Sequence, residues 1–276
     1  TTTIAAGTVF TVTVTALTSD NQTAIHYAGT VALQTTDTVA TMPSVTFAVA
    51  NAGVVNASVT LKKVGAQIIS VPATFVGSTS VSVTVTHGPA ATISFMSGWP
   101  SAASYNYGVA LTPALEITDA YGNRVLTGVD ATANVTLSLG AGNAGALQGT
   151  VTKAATAGVV DFTGNSVMTT SLGMTELTAT KVSTVGGGGT AAVSATSNSF
   201  RVNGSISFYL LPKPFWVNRC HGPFVVQTTD STGIKRIINK AATISVSSTG
   251  VGSIYSNSTC TTAATSVTVA AGDRKS

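Results

Sequence analysis

Cys220 and Cys260 are the only thiols in the 276-residue chain. An even count in an otherwise thiol-free, export-like sequence predicts a disulfide, with two reduced cysteines as the alternative. Closing a loop of about 40 residues would stabilise the fold by about 3–4 kcal/mol in the chain-entropy treatment. A Cys220-His221 metal pair is disfavoured, because no further ligand stands at zinc-site spacing. His26, His87 and His221 lie far apart, and none neighbours a nucleophile elbow or a paired-acid motif. The nine carboxylates are scattered, and no two are spaced as a glycosidase dyad. Asp119, Asn123 and Asp130 could contribute oxygens to calcium, which needs six to eight of them; turn chemistry accounts for Asp119 and Asn123 without it. No Lys, Asn and acid stand out as an isopeptide-forming trio. The chemistry-bearing residues therefore read as those of a non-enzyme, with no cofactor and no metal.

Modification and contact sites are a separate matter. Asn21, Asn56, Asn134, Asn203 and Asn257 each open an Asn-x-Ser/Thr sequon, a pattern that chance also produces in so hydroxyl-rich a chain. Trp99-Pro100 with Tyr105 and Tyr107, and Phe215-Trp216, are the aromatic clusters. Packing in the core or between modules is their default role, and contact between neighbouring chains is the sharper alternative. The Gly186 to Gly189 run reads as a hairpin tip, since no helix follows it to make a phosphate loop.

The elements that must position these residues are strands. Only 8% of residues are charged while 44% are hydrophobic, and Thr and Ser make up more than a quarter of the chain. Such composition excludes disorder, which requires low hydrophobicity, and favours β-branched packing on pleated surfaces. The net charge of +4 comes from a scarcity of acids. Lys62-Lys63, Lys235-Arg236 and Arg274-Lys275 are isolated doublets, not the basic stripe that nucleic acid requires. No apolar run approaches the roughly 20 residues of a membrane span, and the first residues carry no signal-peptide pattern.

Period-two alternation runs through Phe10, Val12, Val14 and Ala16, with Thr11, Thr13 and Thr15 between them. It returns at Val81, Val83, Val85; at Val135, Leu137, Leu139; at Ile244, Val246; and at Val267, Val269. Ala52-Gly53-Val54-Val55 recurs as Ala157-Gly158-Val159-Val160, at about the length of one sandwich of roughly 100 residues. Ala271-Gly272-Asp273 is a weaker third copy. Gly7 aligns with Gly108, and the turn after Leu17 aligns with those at Asp119 and Asp230. Three modules follow: residues 1–87, 88–203 and 204–276. The linkers at His87-Gly88-Pro89 and Val202-Asn203-Gly204 are short, so the expected arrangement is an elongated, semi-rigid rod. In this frame the first module's opening strand is missing or donated, and the third lacks its last strands. Excision from a longer chain and strand donation by neighbouring subunits both account for that.

Leu115-Glu116-Ile117-Thr118-Asp119-Ala120-Tyr121-Gly122-Asn123-Arg124-Val125 resembles the second-strand hairpin of bacterial immunoglobulin-like repeats of the filamin-like and invasin-like kind, found in large surface adhesins. Thr8 to Leu17, Val54 to Lys62 and Gly65 to Ile69 are similar to the same repeats. The first module departs from the pattern, with Thr18-Ser19-Asp20-Asn21 in place of Asp-x-x-Gly-Asn. The resemblance implies an all-β fold of tandem immunoglobulin-like sandwiches at the bacterial cell surface or in an extracellular fibre. The expected function is structural or adhesive, as a stalk, sheath or filament, with self-association or continuation into a longer repeat chain. A carbohydrate- or receptor-binding adhesin module, with a glycan or cell-surface receptor as partner, and a spacer of a larger secreted enzyme are the alternatives.

Overall fold

The computed structural model describes residues 2–72, 79–209, 219–222, 224–248 and 252–274. Phe215 and Trp216 lie outside them. The described chain is all-β: strands form several sheets, and the helical residues are confined to short 3-10 turns such as Val49–Asn51 and Val129–Thr132. Two compact units emerge, one of residues 1–92, 117–131 and 187–190, the other of 93–116, 132–186 and 191–276.

In the first unit, Thr2–Ala5, Ser80–Thr86, Gly65–Ser70 and Gln34–Thr35 form a four-stranded sheet in that order. Its first pair is parallel and the others antiparallel. Val9–Thr15 pairs with Val54–Thr60, and Gly29–Ala32 with Ser44–Phe47. Val31, Val45, Phe47, Val59, Leu61, Ile69, Val83 and Val85 from these strands and their flanks are buried in one core. They alternate along their strands with exposed residues, as a pleated strand wet on one face requires.

In the second unit, Thr152–Ala154, Asn134–Leu139, Leu177–Lys181 and Val193–Thr196 form an antiparallel sheet. Ser104–Asn106, Phe200–Asn203, Ser171–Thr175 and Ile237–Ile238 form another, with parallel outer pairs. Val225–Thr229 pairs with Ser205–Tyr209, and Ala242–Ser245 with Ser266–Val269.

The threonines have a positional logic. On the exposed faces they sit directly opposite one another and bond across the ladder: Thr30 to Thr46 at 3.2 Å, Thr136 to Thr152 at 2.9 Å, Thr178 to Thr196 at 3.3 Å. Thr180 and Ser194 do the same at 2.8 Å. Such pairs contribute a few tenths to 1 kcal/mol each and let hydroxyls replace charges as the wet surface.

Local conformation also repeats where the sequence does. Ala52 and Ala157 both take φ of 48°, and Gly53 and Gly158 both take 75°. Each pair opens a strand, Val54–Thr60 or Val159–Asp161, that lies antiparallel to Val9–Thr15 or Ala114–Asp119. Gly7 and Gly108 match likewise, at 81° and 83°. At Gly53 the left-handed backbone is also crowded, since a Cβ would stand 2.7 Å from the Ala24 carbonyl oxygen. Gly53→Ala is therefore expected to cost about 1–2 kcal/mol. A urea denaturation midpoint equal to that of the parent would contradict this packing.

Candidate functional site

Three turns follow one plan. Each closes with a hydrogen bond from the N–H of its first residue to the carbonyl four residues on: Thr18 to Gln22 at 2.8 Å, Asp119 to Asn123 at 2.8 Å, Asp230 to Ile234 at 2.9 Å. Each has a left-handed fourth residue, Asn21 at 59°, Gly122 at 81° and Gly233 at 84°. Glycine and asparagine are the residues that tolerate this conformation, so Asn21 does the work of the glycines. The first side chain then caps the turn. Asp119 Oδ1 accepts from the N–H groups of Tyr121 and Asn123, and Asp230 Oδ1 from those of Thr232 and Ile234. The Thr18 hydroxyl accepts from Gln22 N–H at 3.2 Å. The departure at Thr18 thus changes the capping atom and keeps the backbone.

The middle turn reaches further than the others. Asp119 Oδ2 accepts from Gly88 N at 2.8 Å and from Asn123 Nδ2 at 2.9 Å. Asn123 also donates to Lys62 O at 2.7 Å and accepts from Val64 N at 3.1 Å. Asp37 completes the chain from the opposite side, taking Lys63 N at 2.9 Å, Lys62 N, and Val39 N at 3.0 Å. Segments distant in sequence, at 37–39, 62–64, 88 and 119–123, are thereby tied within the first unit. Tyr121 lies against Gly7, where a Cβ would stand 2.3 Å from its hydroxyl, and the Lys62 ammonium sits 5.9 Å from its ring centre. His87 brackets the same segment, with Nδ1 on Gly88 O at 2.8 Å and Nε2 accepting from Thr127 N at 3.2 Å.

Burial works against ionisation of Asp119, but the donors on Asn123, Gly88 and Tyr121 outweigh it and hold its pKa below the ordinary Asp value. Asp37 behaves alike: burial opposes, while the backbone donors of Lys63, Lys62 and Val39 and the Lys62 charge prevail. Both are fixed as ionised acceptors. Their lone pairs face N–H groups, which leaves Asp119 unsuited to calcium. Asp130 is engaged elsewhere, accepting from Thr190 N and Oγ1 at 3.2 Å each. Among the described residues no group of three or more His, Cys, Asp or Glu is arranged to hold a metal ion.

The third turn uses other partners. Asp230 is lowered to about 2, first by the Thr232 hydroxyl and then by Arg236, whose Nε stands 2.9 Å from Oδ2. The Arg236 guanidinium lies 4.3 Å from the centre of the Tyr107 ring, a cation–π contact. Asn239 is fully buried and donates to Asn143 Oδ1 at 2.7 Å and to Met174 O at 2.5 Å. Its own N–H bonds Leu172 O at 2.7 Å. Gly204 presses on Leu172, where a Cβ would stand 2.3 Å from a methyl carbon. In both places a turn or its flank grips backbone from an earlier segment.

The structure joins Cys220 to Cys260 as a disulfide, with Cα atoms 5.9 Å apart. Trp99 stacks on Phe95 with ring centres 4.9 Å apart and meets Phe200 edge-on at 5.5 Å; Tyr105 meets Phe200 at 5.3 Å. Those two aromatics therefore pack around Phe200 inside the second unit. Of the sequon asparagines, Asn21, Asn56 and Asn134 are exposed, and Asn56 accepts from the Thr13 hydroxyl across the ladder. Asn203 is half-buried against Asn106. Asn257 is committed to its own loop: Nδ2 donates to the hydroxyls of Thr259 and Thr261, and Oδ1 accepts from the N–H groups of Thr261 and Thr262.

Sequence reasoning missed Asp37, Asn239 and Lys181. Lys181 has no exposed surface, and its ammonium donates to Val182 O, Ala191 O and the Thr184 hydroxyl. Nothing in Thr180-Lys181-Val182 distinguishes it from a surface lysine. The partners of all three are largely backbone groups, which leave no residue signature.

No protein-family model matches the chain, and no curated protein matches it. Among solved structures, the D0-D1 domain of intimin is 14% identical with a TM-score of 0.27, over 73% of this chain and 94% of that one. Domains 4-9 of the surface layer protein SbsC are 18% identical at a TM-score of 0.27, over 81% of this chain and 32% of that one. Invasin, a bacterial integrin-binding protein, is 17% identical at 0.27, over 87% of this chain and 50% of that one. Overlap at that level establishes no common fold. No helix among the described residues is long and apolar enough to cross a membrane, which says nothing of β-barrels.

The lowered carboxylates predict an acid-labile first unit. Because Asp37 and Asp119 lie below the ordinary Asp pKa of about 3.9, their stabilisation is complete above that pH and is lost as pH falls through their folded values. The thermal midpoint should hold steady from about pH 7 to 5 and drop below about pH 4. Asp119→Ala should cost about 2–3 kcal/mol at neutral pH, by orphaning buried N–H groups, and flatten the acid slope. Circular dichroism melts of parent and variant check both, and equal midpoints at neutral pH would refute the network.

Proposed function

We propose that this chain is a structural or adhesive element of the bacterial cell exterior, a run of immunoglobulin-like modules at residues 1–87, 88–203 and 204–276 that acts as a stalk, sheath or filament. One observation carries the reading: the same capped turn occurs three times, at Thr18, Asp119 and Asp230, at corresponding places in the three segments. The second copy bonds back to Lys62, Val64 and Gly88, on and before the proposed first boundary. The residues after the third, Arg236 to Asn239, bond or pack back to Tyr107, Asn143, Leu172 and Met174, before the second. A joint made this way resists bending, because any swing must break hydrogen bonds to buried groups.

The mechanism is mechanical. Modules set reach and their joints set stiffness, while the Cys220–Cys260 bridge resists opening of the last segment and fits an oxidising compartment. We read the chain as no enzyme: Asp37, Asp119 and Asp230 spend their carboxylate oxygens on N–H, hydroxyl and guanidinium donors that shape turns and joints. Hydroxyl ladders give the surface its solubility without a charged patch for nucleic acid.

Small-angle scattering of the purified chain tests the reading. A compact chain of 276 residues has a radius of gyration of about 19 Å. Stacked modules should give a value well above that, with a cross-section of one sandwich. A value near 19 Å would remove the rod and the function built on it.

A further inference from the structure

Val9–Thr15 has a strand partner on one side only. Val54–Thr60 pairs with it along its whole length, and among the described residues no strand lies along its other edge. Ala16 N–H donates to Gly53 O at 2.8 Å at the end of that ladder. Bonded and non-bonded pairs alternate in antiparallel ladders, so Phe10, Val12 and Val14 direct their backbone groups to the partner. Thr11, Thr13 and Thr15 therefore present theirs to the open edge.

Of the corresponding strands, one is covered on both edges and the other, also paired on one side only, has as its partner a strand from the start of its own segment. Ala114–Asp119 lies between Val159–Asp161 and Ala90–Phe95, and Val225–Thr229 is paired with Ser205–Tyr209. Burial follows the pairing. Counting back from the three turns, Phe10, Val14 and Ala16 correspond to Leu111, Leu115 and Ile117, which are 1%, 0% and 0% exposed. Phe10, Val14 and Ala16 are only half-buried. Beside them opens a cleft of about 660 Å³ lined by uncharged side chains, among them Val12, Val14, Ala16, Tyr27, Val31 and Phe47.

The two strands that fill the corresponding places share a pattern, Ile93-Ser94-Phe95 and Ile206-Ser207-Phe208. In the latter, Ile206 stands opposite Thr228 and Phe208 opposite Val226. In the former, Ile93 is buried and Phe95 half-buried, whereas Ile206 and Phe208 stay 59% and 61% exposed, so the first of the two is the template for burial. Counted from the turns, Thr228 and Val226 correspond to Ala16 and Val14.

We propose that the Val9–Thr15 edge is a receptor for an added β-strand: an uncharged, extended polypeptide segment of the Ile-Ser-Phe type found in this chain's own opening strands. It lies antiparallel to Val9–Thr15 with Ile opposite Ala16, Ser opposite Thr15 and Phe opposite Val14. The Phe enters the cleft, and the backbone of the added strand takes up the free N–H and C=O groups of Thr11, Thr13 and Thr15. Strand pairing alone supports this, so its failure would leave the mechanical reading standing.

A fluorescent peptide with the sequence of residues 88–96, titrated into the intact chain, tests it. The expected result is saturable one-to-one binding by anisotropy, at least tenfold slower amide exchange at Thr11, Thr13 and Thr15, and at least tenfold weaker binding of the peptide carrying Phe95→Asp. In the protein, Thr13→Pro, which removes an edge donor and blocks close approach, should weaken binding similarly. Absence of binding, undiminished binding of the Phe95→Asp peptide, or protection confined to other strands would overturn the proposal. So would peptide-free, concentration-dependent protection of the same three amides, because a second copy would then be the occupant.

Discussion

A buried carboxylate must either be neutralised or be surrounded by donors, and Asp119 is surrounded. Its two oxygens gather the N–H groups of Gly88, Tyr121 and Asn123 and the Asn123 amide. No comparable set of donors occurs in an unfolded chain, so satisfying this one group fixes the turn, the segment at Gly88 and, through Asn123, the Lys62–Val64 backbone together. Asp37 holds the far side of the same backbone. The turn and the segments it ties all belong to the first unit.

With charges so few, the rest of the surface is organised by hydroxyls. Threonine serves two needs at once: its β-branch suits an extended backbone, and its hydroxyl bonds the threonine across the ladder. A chain built this way keeps soluble faces without like-charge repulsion.

Much of the strand pattern was legible because period-two alternation is a local property. Phe10 to Ala16 reads as a strand, and Val9–Thr15 is one; Val135 to Leu139 falls in Asn134–Leu139, and Val81 to Val85 in Ser80–Thr86. The turn at Asp119 was legible from its glycine and its capping residue. Its grip on Lys62, Val64 and Gly88 was not, because those partners are backbone atoms that any residue type supplies. Trp99 and Tyr105 were visible as an aromatic cluster, but Phe200, on which both pack, lies far along the chain and carries no motif. Asp37, in Thr35-Thr36-Asp37-Thr38, looks like any surface acid until Lys62 and Lys63 fold over it.

Side chains of one turn protect backbone amides far away in sequence, and native-state hydrogen exchange reads that directly. The amides of Gly88 and Val64, bonded only to Asp119 and Asn123 side-chain oxygens in the network described, should exchange as slowly as strand amides of the first unit's core. Removing the amide with Asn123→Ala should speed Val64 by tenfold or more and leave Ile69 unchanged. If Gly88 and Val64 exchange at the rate of unprotected amides in the parent chain, the turn does not hold the segments together.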